Sequence, residues 1–388
     1  MGKRGNKTNS ILEKHLHIIA LTIPFPVDYG GVYDLFYKLV ALHKEGVQIH
    51  LHCFEYGDRK QQEELNKYCS TVQYYPRKSF FSTLFSGLPY IVSSRGNSNL
   101  INNLLQDNYP VLMEGIHCAF LLQDKRFVDR KKILRLHNVE YEYYNDLSQA
   151  TTSFGRKLFF KREQKLLYKF EKSIAAKADA ILAVTEKDVI TYQQEFGAKN
   201  IRFMPLFLPD NWTLNCLKGK GSYCLYQGDL SVISNEKAAL WLIEEVFAGT
   251  KHKLIITGKN PSAILFKAAA KRLNVLVVAN PETEQMQDFI KLAHIHILPS
   301  YSNTGIKLKL LNALYNGRFC LVNELTAGGS GVEQLCHFFE DAATCKQKVN
   351  ELLDIEFTQS DIDNRKRVLT TAFNNEENAK AFIERELC

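Results

Sequence analysis

No apolar run in these 388 residues approaches the ~20 needed to cross a bilayer as a helix. The amino-terminal stretch MGKRGNKTNS is basic but has no apolar core behind it, so a secretory signal is not expected. The 9 cysteines stand singly. With no CxxC pair, neither a zinc site nor a disulfide framework is indicated, and reduced thiols in a cytoplasmic protein are expected. Short-period repeats, low-complexity tracts and recognised nucleic-acid motifs are also missing, so nucleic acid is not an expected partner. What remains is an ordinary globular composition, 45% hydrophobic and 23% charged, in a chain long enough for about two domains.

The formal net charge of +7 is unevenly spread. Residues 1–200 hold 28 Lys and Arg against 21 Asp and Glu, and the rest of the chain is balanced. One half of the molecule is therefore expected to face something anionic.

Hydrophobic patterning gives an α/β protein. Leu16 to Ile23 is nearly continuous in apolar residues, as a strand buried on both faces requires. Pro24 and Pro26 end it. The stretch VYDLFYKLVALHKEG follows, an amphipathic helix with Leu35, Leu39 and Leu42 on one face and Gly46 as its stop. VQIHLHCF then closes a βαβ unit, which demands a parallel sheet. VLMEG, KKILRLHN and ADAILAVT are further strands, with a helix over 155–177 between the last two. A linker from Pro205 to Ser222 leads into a second alternating series. Its strands are SYCLYQG, KLIITGK, VLVVAN, HIHILPS and FCLVN, and its first helix, NEKAALWLIEEVF, is capped by Asn235. The expectation is two doubly wound Rossmann-like domains, residues 1–205 and 206–360, facing a central cleft. Residues 361–388 read as helix that packs back on the first domain through Val368, Leu369, Phe373, Ala379 and Phe382.

Ligands of open α/β sheets bind beyond the carboxyl ends of the strands, so those ends carry the chemistry. In the first domain they offer Gly30 and Gly31, whose backbone permits close approach of a ligand, although a plain turn explains a Gly-Gly as well. His137, Asn138 and Glu140 follow an apolar strand directly, and a solvated loop with a capping Asn is the plainer account of them. Glu114 and His117 form a similar, weaker cluster. In the second domain Gly228 and Asn235 follow one strand, and Gly258 and Lys259 follow the next. A lysine at a glycine turn suits a phosphate, and an ordinary surface lysine is equally expected. Thr304, Gly305, Ile306 and Lys307 stand at a helix start, where free N–H groups and the helix dipole favour a diphosphate; Lys307 and Lys309 add charge.

These segments resemble a known family. PFPVDYGG, LHNVEYEYY, ADAILAVTEKD, YQGDLSVISNEKAALWL and SNTGIKLKLLNALYNG are similar to glycosyltransferases of the GT-B fold, close to family 4 (group 1). The resemblance spans nearly the whole chain. It implies a retaining glycosyltransferase, a hexosyltransferase moving sugar from a nucleotide-sugar donor to a glycan or lipid-linked acceptor in cell-surface polysaccharide synthesis. It implies an acceptor-binding first domain, with Asn138 and Glu140 on that side, and a donor-binding second domain. Gly30, Gly31, Gly228, Asn235, Gly258, Lys259, Gly305, Ile306, Lys307 and Asn312 would meet the donor, and His137 and Thr304 would stand at the reacting sugar. The pattern departs at two places. Thr304 and Asn312 occupy positions where the family carries glutamates, and Asp229 replaces an arginine. Neutral side chains there still hydrogen-bond but carry no charge. A relative that binds sugar nucleotide or a partner without turnover is the alternative. No cofactor is implied. No DxD-type carboxylate pair ends a strand, so no metal is expected, and cationic groups would stabilise the leaving diphosphate.

The surplus charge is densest over 153–172, where Arg156, Lys157, Lys161, Arg162, Lys165, Lys169 and Lys172 face Leu158, Phe159, Leu166, Leu167 and Phe170 across a helix. Phe80, Phe81, Leu84 and Phe85 recur at similar spacing beside Arg77 and Lys78. A basic amphipathic helix can lie on an anionic membrane, here the inner face of the cytoplasmic membrane; a core helix with a solvated face is the bland equivalent.

Overall fold

The computed structural model of the chain describes residues 14–27, 30–83, 86–151, 153–210, 212–302 and 305–388. Thr304, Leu84 and Phe85 lie outside the described residues. The first sheet comprises β1 (His15–Ala20), β2 (Gln48–Glu55), β3 (Thr71–Pro76), β4 (Val111–Glu114), β5 (Lys132–Leu136), β6 (Ala180–Ala183) and β7 (Ile201–Phe203). Its order is β3-β2-β1-β4-β5-β6-β7, parallel throughout. The second comprises β8 (Cys224–Asp229), β9 (Leu254–Lys259), β10 (Val275–Ala279), β11 (Ile295–Leu298), β12 (Phe319–Val322) and β13 (His337–Phe338). Its order, β10-β9-β8-β11-β12-β13, repeats the same winding. In each sheet the chain reverses its direction of growth beside the first strand, so the switch points lie at β1/β4 and β8/β11. Ligand crevices form at such points.

The helix Gly30–Lys44 shows why the sequence folds this way. Leu35, Leu39 and Leu42 are wholly buried against Leu16, Ile18, Ile49 and Leu51 of β1 and β2. Each contributes about 1.5–3 kcal/mol of burial. Gly30 and Gly31 are already in its first turn, so the loop after β1 is shorter than the sequence suggests. Phe80–Thr83 is a one-turn helix, and a second short helix follows at Tyr90–Ser93.

The carboxyl-terminal segment is two helices, not one. Gln359–Ala372 leads into Val368, Leu369 and Phe373 packing on the second domain, in one cluster with Leu310, Leu314 and Val322. Asn375–Glu386 crosses back and sets Ala379, Phe382 and Ile383 among the first domain's buried leucines. Asn375 pins the crossing to the linker: its Oδ1 accepts from Leu208 N at 3.0 Å and its Nδ2 donates to Leu208 O at 2.7 Å.

Candidate functional site

On the first domain the carboxyl ends of β4 and β5 lie side by side, with Glu114 in register with Arg135. Both side chains are fully buried, and Asp34 and Lys38 reach them from the Gly30–Lys44 helix. Asp34 accepts from Arg135 Nε at 2.9 Å, Arg135 Nη2 at 3.1 Å and Lys38 Nζ at 3.0 Å. Lys38 Nζ also donates to Glu114 Oε1 at 2.7 Å. The second oxygen of Glu114 lies 2.9 Å from His137 Nε2. Burial alone would raise the Asp34 carboxyl, but Arg135 and Lys38 hold it well below the usual range. Burial likewise opposes ionisation of Glu114, and Lys38 and His137 overcome it. An ionised Glu114 only accepts, so His137 Nε2 is the donor of this bond.

Asp34, Glu114 and His137 bring one ligand atom each within 4.8 Å of one another, the spacing of a metal centre. Lys38 and Arg135 already stand as the cations among these carboxylates. The set therefore fits an ion network that orients His137 better than it fits a divalent ion.

The network also grips the linker. Arg135 donates to Met204 O at 2.7 Å and Pro205 O at 3.0 Å, and Asp34 accepts from Phe207 N at 2.9 Å. The cleft histidine and the inter-domain crossing thus share one cluster.

Opposite His137 stands Gly305 of the second domain. A Cβ at Gly305 would lie 2.8 Å from His137 O and would run into Asn138 Oδ1, and its φ is +63°. Only glycine allows the domains to approach this closely. Asn138 is held in turn by Glu140, whose carboxyl is pushed up to about 7 by burial and eased by the Asn138 hydrogen bond. Glu140 is buried, so its direct contact is with Asn138. Its helix start is capped by Glu171, which accepts from Glu140 N at 3.1 Å and Tyr141 N at 3.0 Å.

On the second domain Gly228 and Gly258 pair one residue before the ends of β8 and β9, and a Cβ at Gly258 would collide with the Gly228 carbonyl oxygen. Asn235 lies in the first turn of the helix Ile233–Trp241, whose N-cap is Val232, so Asn235 is not the cap expected from the sequence. Its Nδ2 donates to Asp229 O at 2.9 Å, and its Oδ1 accepts from Lys309 Nζ at 3.2 Å. Lys309 Nζ also lies 3.4 Å from Tyr226 Oη and 4.9 Å from that ring's centre. Burial, then the neighbouring Lys307, lowers the Lys309 ammonium to about 8. Among the described residues no carboxylate pairs with it.

Lys307 behaves differently. It is the N-cap of the helix Leu308–Asn316, which therefore begins after Gly305 and Ile306. Burial lowers it to about 8, while Asp188 and Asp146 of the first domain pull the other way. Ile306 packs against the core beneath the helix. Asn312 Oδ1 accepts from Asn316 Nδ2 at 2.8 Å. Lys259 is exposed at the end of β9.

The structure thus brings His137, Asn138 and Gly305 together, and separately Gly228, Asn235 and Lys309. It adds Asp34, Lys38 and Arg135, which sequence reading passed over. Their signal was present: an arginine inside the apolar KILRL, and Asp34 and Lys38 spaced i,i+4 on a helix whose other inward residues are apolar.

The fold has counterparts among known proteins. Residues 221–354 match the family described as glycosyl transferases group 1. The chain is 25% identical over 355 residues to an uncharacterized 44.6 kDa protein in the cps region of Klebsiella pneumoniae, covering 86% of this chain and 89% of that one. Two solved structures share the fold. A glycosyltransferase from Rickettsia africae has a TM-score of 0.64 at 12% identity, covering 96% of this chain and 97% of that one. Anabaena Alr3699/HepE, solved with UDP and glucose, has a TM-score of 0.62 at 9% identity, covering 96% of this chain and 99% of that one. The fold is GT-B.

The ion network gives a pH prediction. Asp34 and Glu114 both ionise below their unfolded values of ~3.9 and ~4.3. Their stabilisation is complete above those values and is lost as pH falls towards the native ones. Asp34→Asn should cost about 3–5 kcal/mol at pH 7, because it leaves Arg135 and Lys38 buried and underpaired. Its urea midpoint should also fall less steeply than wild type between about pH 5 and pH 3. An unchanged acid slope would place the titration elsewhere.

Proposed function

We propose that this chain, whose resemblance to GT-B glycosyltransferases of group 1 holds in its fold and in the match over residues 221–354, transfers a sugar from a nucleotide-sugar donor to a glycan or lipid-linked acceptor. The observation that carries this reading is Lys309. A half-buried ammonium with no carboxylate partner among the described residues, set between Tyr226 of β8 and Asn235 of the following helix, gains from an anion that offsets its desolvation. It lies next to the start of the Leu308–Asn316 helix, whose dipole adds the same preference. A diphosphate suits both, and the bound UDP of the Anabaena protein supports a uridine-type donor.

In this reading the leaving diphosphate is stabilised by Lys309 and the helix start. His137, its proton fixed on Nε2 by Glu114, turns Nδ1 to the transferred sugar. Glu140 acts through Asn138. Transfer is retaining, with a hexose donor and no metal. The Klebsiella relative's cps region supports capsule-type polysaccharide as the product.

Non-catalytic sugar-nucleotide binding is the competing reading. Asn312 favours it, because its amide oxygen is engaged by Asn316 within its own helix. The two part in one experiment: calorimetric binding of a panel of nucleotide sugars, followed by donor hydrolysis and transfer assays. Binding with no turnover under any acceptor would select the second.

Lys309→Met should weaken donor binding by at least tenfold, since a charge-assisted hydrogen bond is worth about 1.5–3 kcal/mol. Lys307→Met should weaken it less, its charge being answered by Asp188 and Asp146. Equal losses would return the diphosphate to both lysines. His137→Ala should lower kcat more than tenfold with little change in melting temperature; normal turnover would make His137 a loop residue.

The acceptor side is proposed to work at an anionic membrane. In the helix Phe154–Ile174 only Glu163, Leu167, Phe170, Glu171 and Ile174 are buried, so its first half projects. Phe154 and Leu158 are exposed there among Arg156, Lys157 and Lys161, and Phe81 is exposed beside Phe80, which meets Phe159 at 5.8 Å. Apolar tips with a basic collar suit a headgroup layer, at ~1 kcal/mol per lysine or arginine. Among the described residues no helix is long and apolar enough to cross a membrane. The protein should sediment with anionic but not neutral vesicles at low salt and be released at high salt. Replacing the exposed Lys161, Lys165, Lys169 and Lys172 by glutamine should abolish this. Equal binding to neutral vesicles would refute it.

A further inference from the structure

Each sheet has two edges, and three of the four are blunt. β7 runs only from Ile201 to Phe203, β13 only from His337 to Phe338, and β3 reads TVQYYP, closing on a proline. Short edges and edge prolines are how sheets avoid pairing with other chains. The fourth edge, β10, carries no such guard. It reads VLVVA, pairs only with β9, and lacks any charge or proline.

The ladder shows which of its peptide groups are spare. Leu254 N donates to Asn274 O at 2.9 Å, and Asn280 N donates to Gly258 O at 2.8 Å. With Val275 in register with Leu254 and Ala279 with Gly258, even-numbered residues turn their peptide groups to β9. Both groups of Val275, Val277 and Ala279 therefore point out of the sheet, and of these the Val275 N–H is already taken by Arg272 O at 3.4 Å. Leu273 and Leu276 are exposed along the same edge.

From this edge we infer that the chain self-associates, a second copy pairing its β10 antiparallel to the first about a two-fold axis at Val277. That axis sets Val277 against its copy and Val275 against the partner's Ala279, so both groups of Val277 bond their copies and the C=O of Val275 receives the partner's Ala279 N–H. The two sheets become one continuous sheet. The flanking charges select this orientation. Lys271 and Arg272 precede the strand, and Glu282 and Glu284 follow it. Antiparallel pairing lays each basic end against the partner's acidic end, whereas parallel pairing opposes like charges. None of these four residues is engaged in an ion pair within the described chain, and a second copy supplies the partners. A two-fold contact of this kind is self-complementary and closed, so it gives a dimer and not a fibre.

The test is light scattering on the full chain after size exclusion, over a range of concentrations. The mass should rise from 44.5 kDa towards twice that value. Arg272→Glu and Glu282→Arg should each raise the apparent dissociation constant at least tenfold, because each creates two like-charge contacts. The double variant Arg272→Glu/Glu282→Arg should restore the dimer. Leu276→Lys, at an exposed position, should also hold the chain monomeric, with an unchanged melting temperature showing that it folds. A monomer at every concentration would overturn the inference. So would a dimer indifferent to the single reversals, or a double variant that stays monomeric.

Discussion

A carboxylate taken fully out of water stays ionised only if cations meet it there, and Asp34 is the place where this chain accepts that condition. Arg135, Lys38 and the Phe207 amide all converge on it. The Arg135 guanidinium spends its remaining donors on Met204 and Pro205, the carbonyls that open the linker. Lys38 passes the same cluster on to Glu114, and Glu114 to His137. A displacement of the linker would break bonds to a buried ion, which is costly, so the crossing between the domains and the orientation of the cleft histidine are not independent.

The second domain solves its electrostatics in another way. Lys307 and Lys309 are close in sequence at one helix start, and their surroundings separate them. Lys307 leans on Asp188 and Asp146, which belong to the other domain. Asp188, pushed up to about 7 by burial, has one oxygen with no hydrogen-bond partner and depends on such a neighbour to ionise. Lys309 turns inwards to Tyr226 and Asn235, which are neutral. One charge is thus answered across the cleft, and the other has only neutral partners among the described residues.

The architecture was legible because doubly wound sheets write themselves as apolar strands alternating with amphipathic helices. The boundaries that moved are those set by tertiary contact. Val368, Leu369 and Phe373 are apolar enough to pack anywhere; polar contacts fix the assignment, Arg365 to the Leu314 and Gly317 carbonyls for the first helix, and Asn375 to Leu208 and Glu386 to Lys131 for the second. The site was half legible. His137 and Asn138 stand out as polar residues beyond an apolar strand, but Arg135 is one residue inside that strand and reads as an anomaly until Asp34 is placed beside it. Lys307 and Lys309 cannot be ranked from sequence, since spacing says where a helix starts and not which way each lysine turns. Asn235 resembles a cap by residue type, and the helix begins before it.

Thr304 and Asn312 stand where the resembling pattern would carry glutamates, and neither brings a charge to Lys307 or Lys309. Lys307 meets this by borrowing carboxylates from the first domain, and Gly305 makes the borrowing geometrically possible by letting the backbones close on His137 and Asn138. The close approach of the two domains at Gly305 and the answering of Lys307 by Asp188 and Asp146 thus belong to one arrangement, and that arrangement leaves Lys309 with neutral partners.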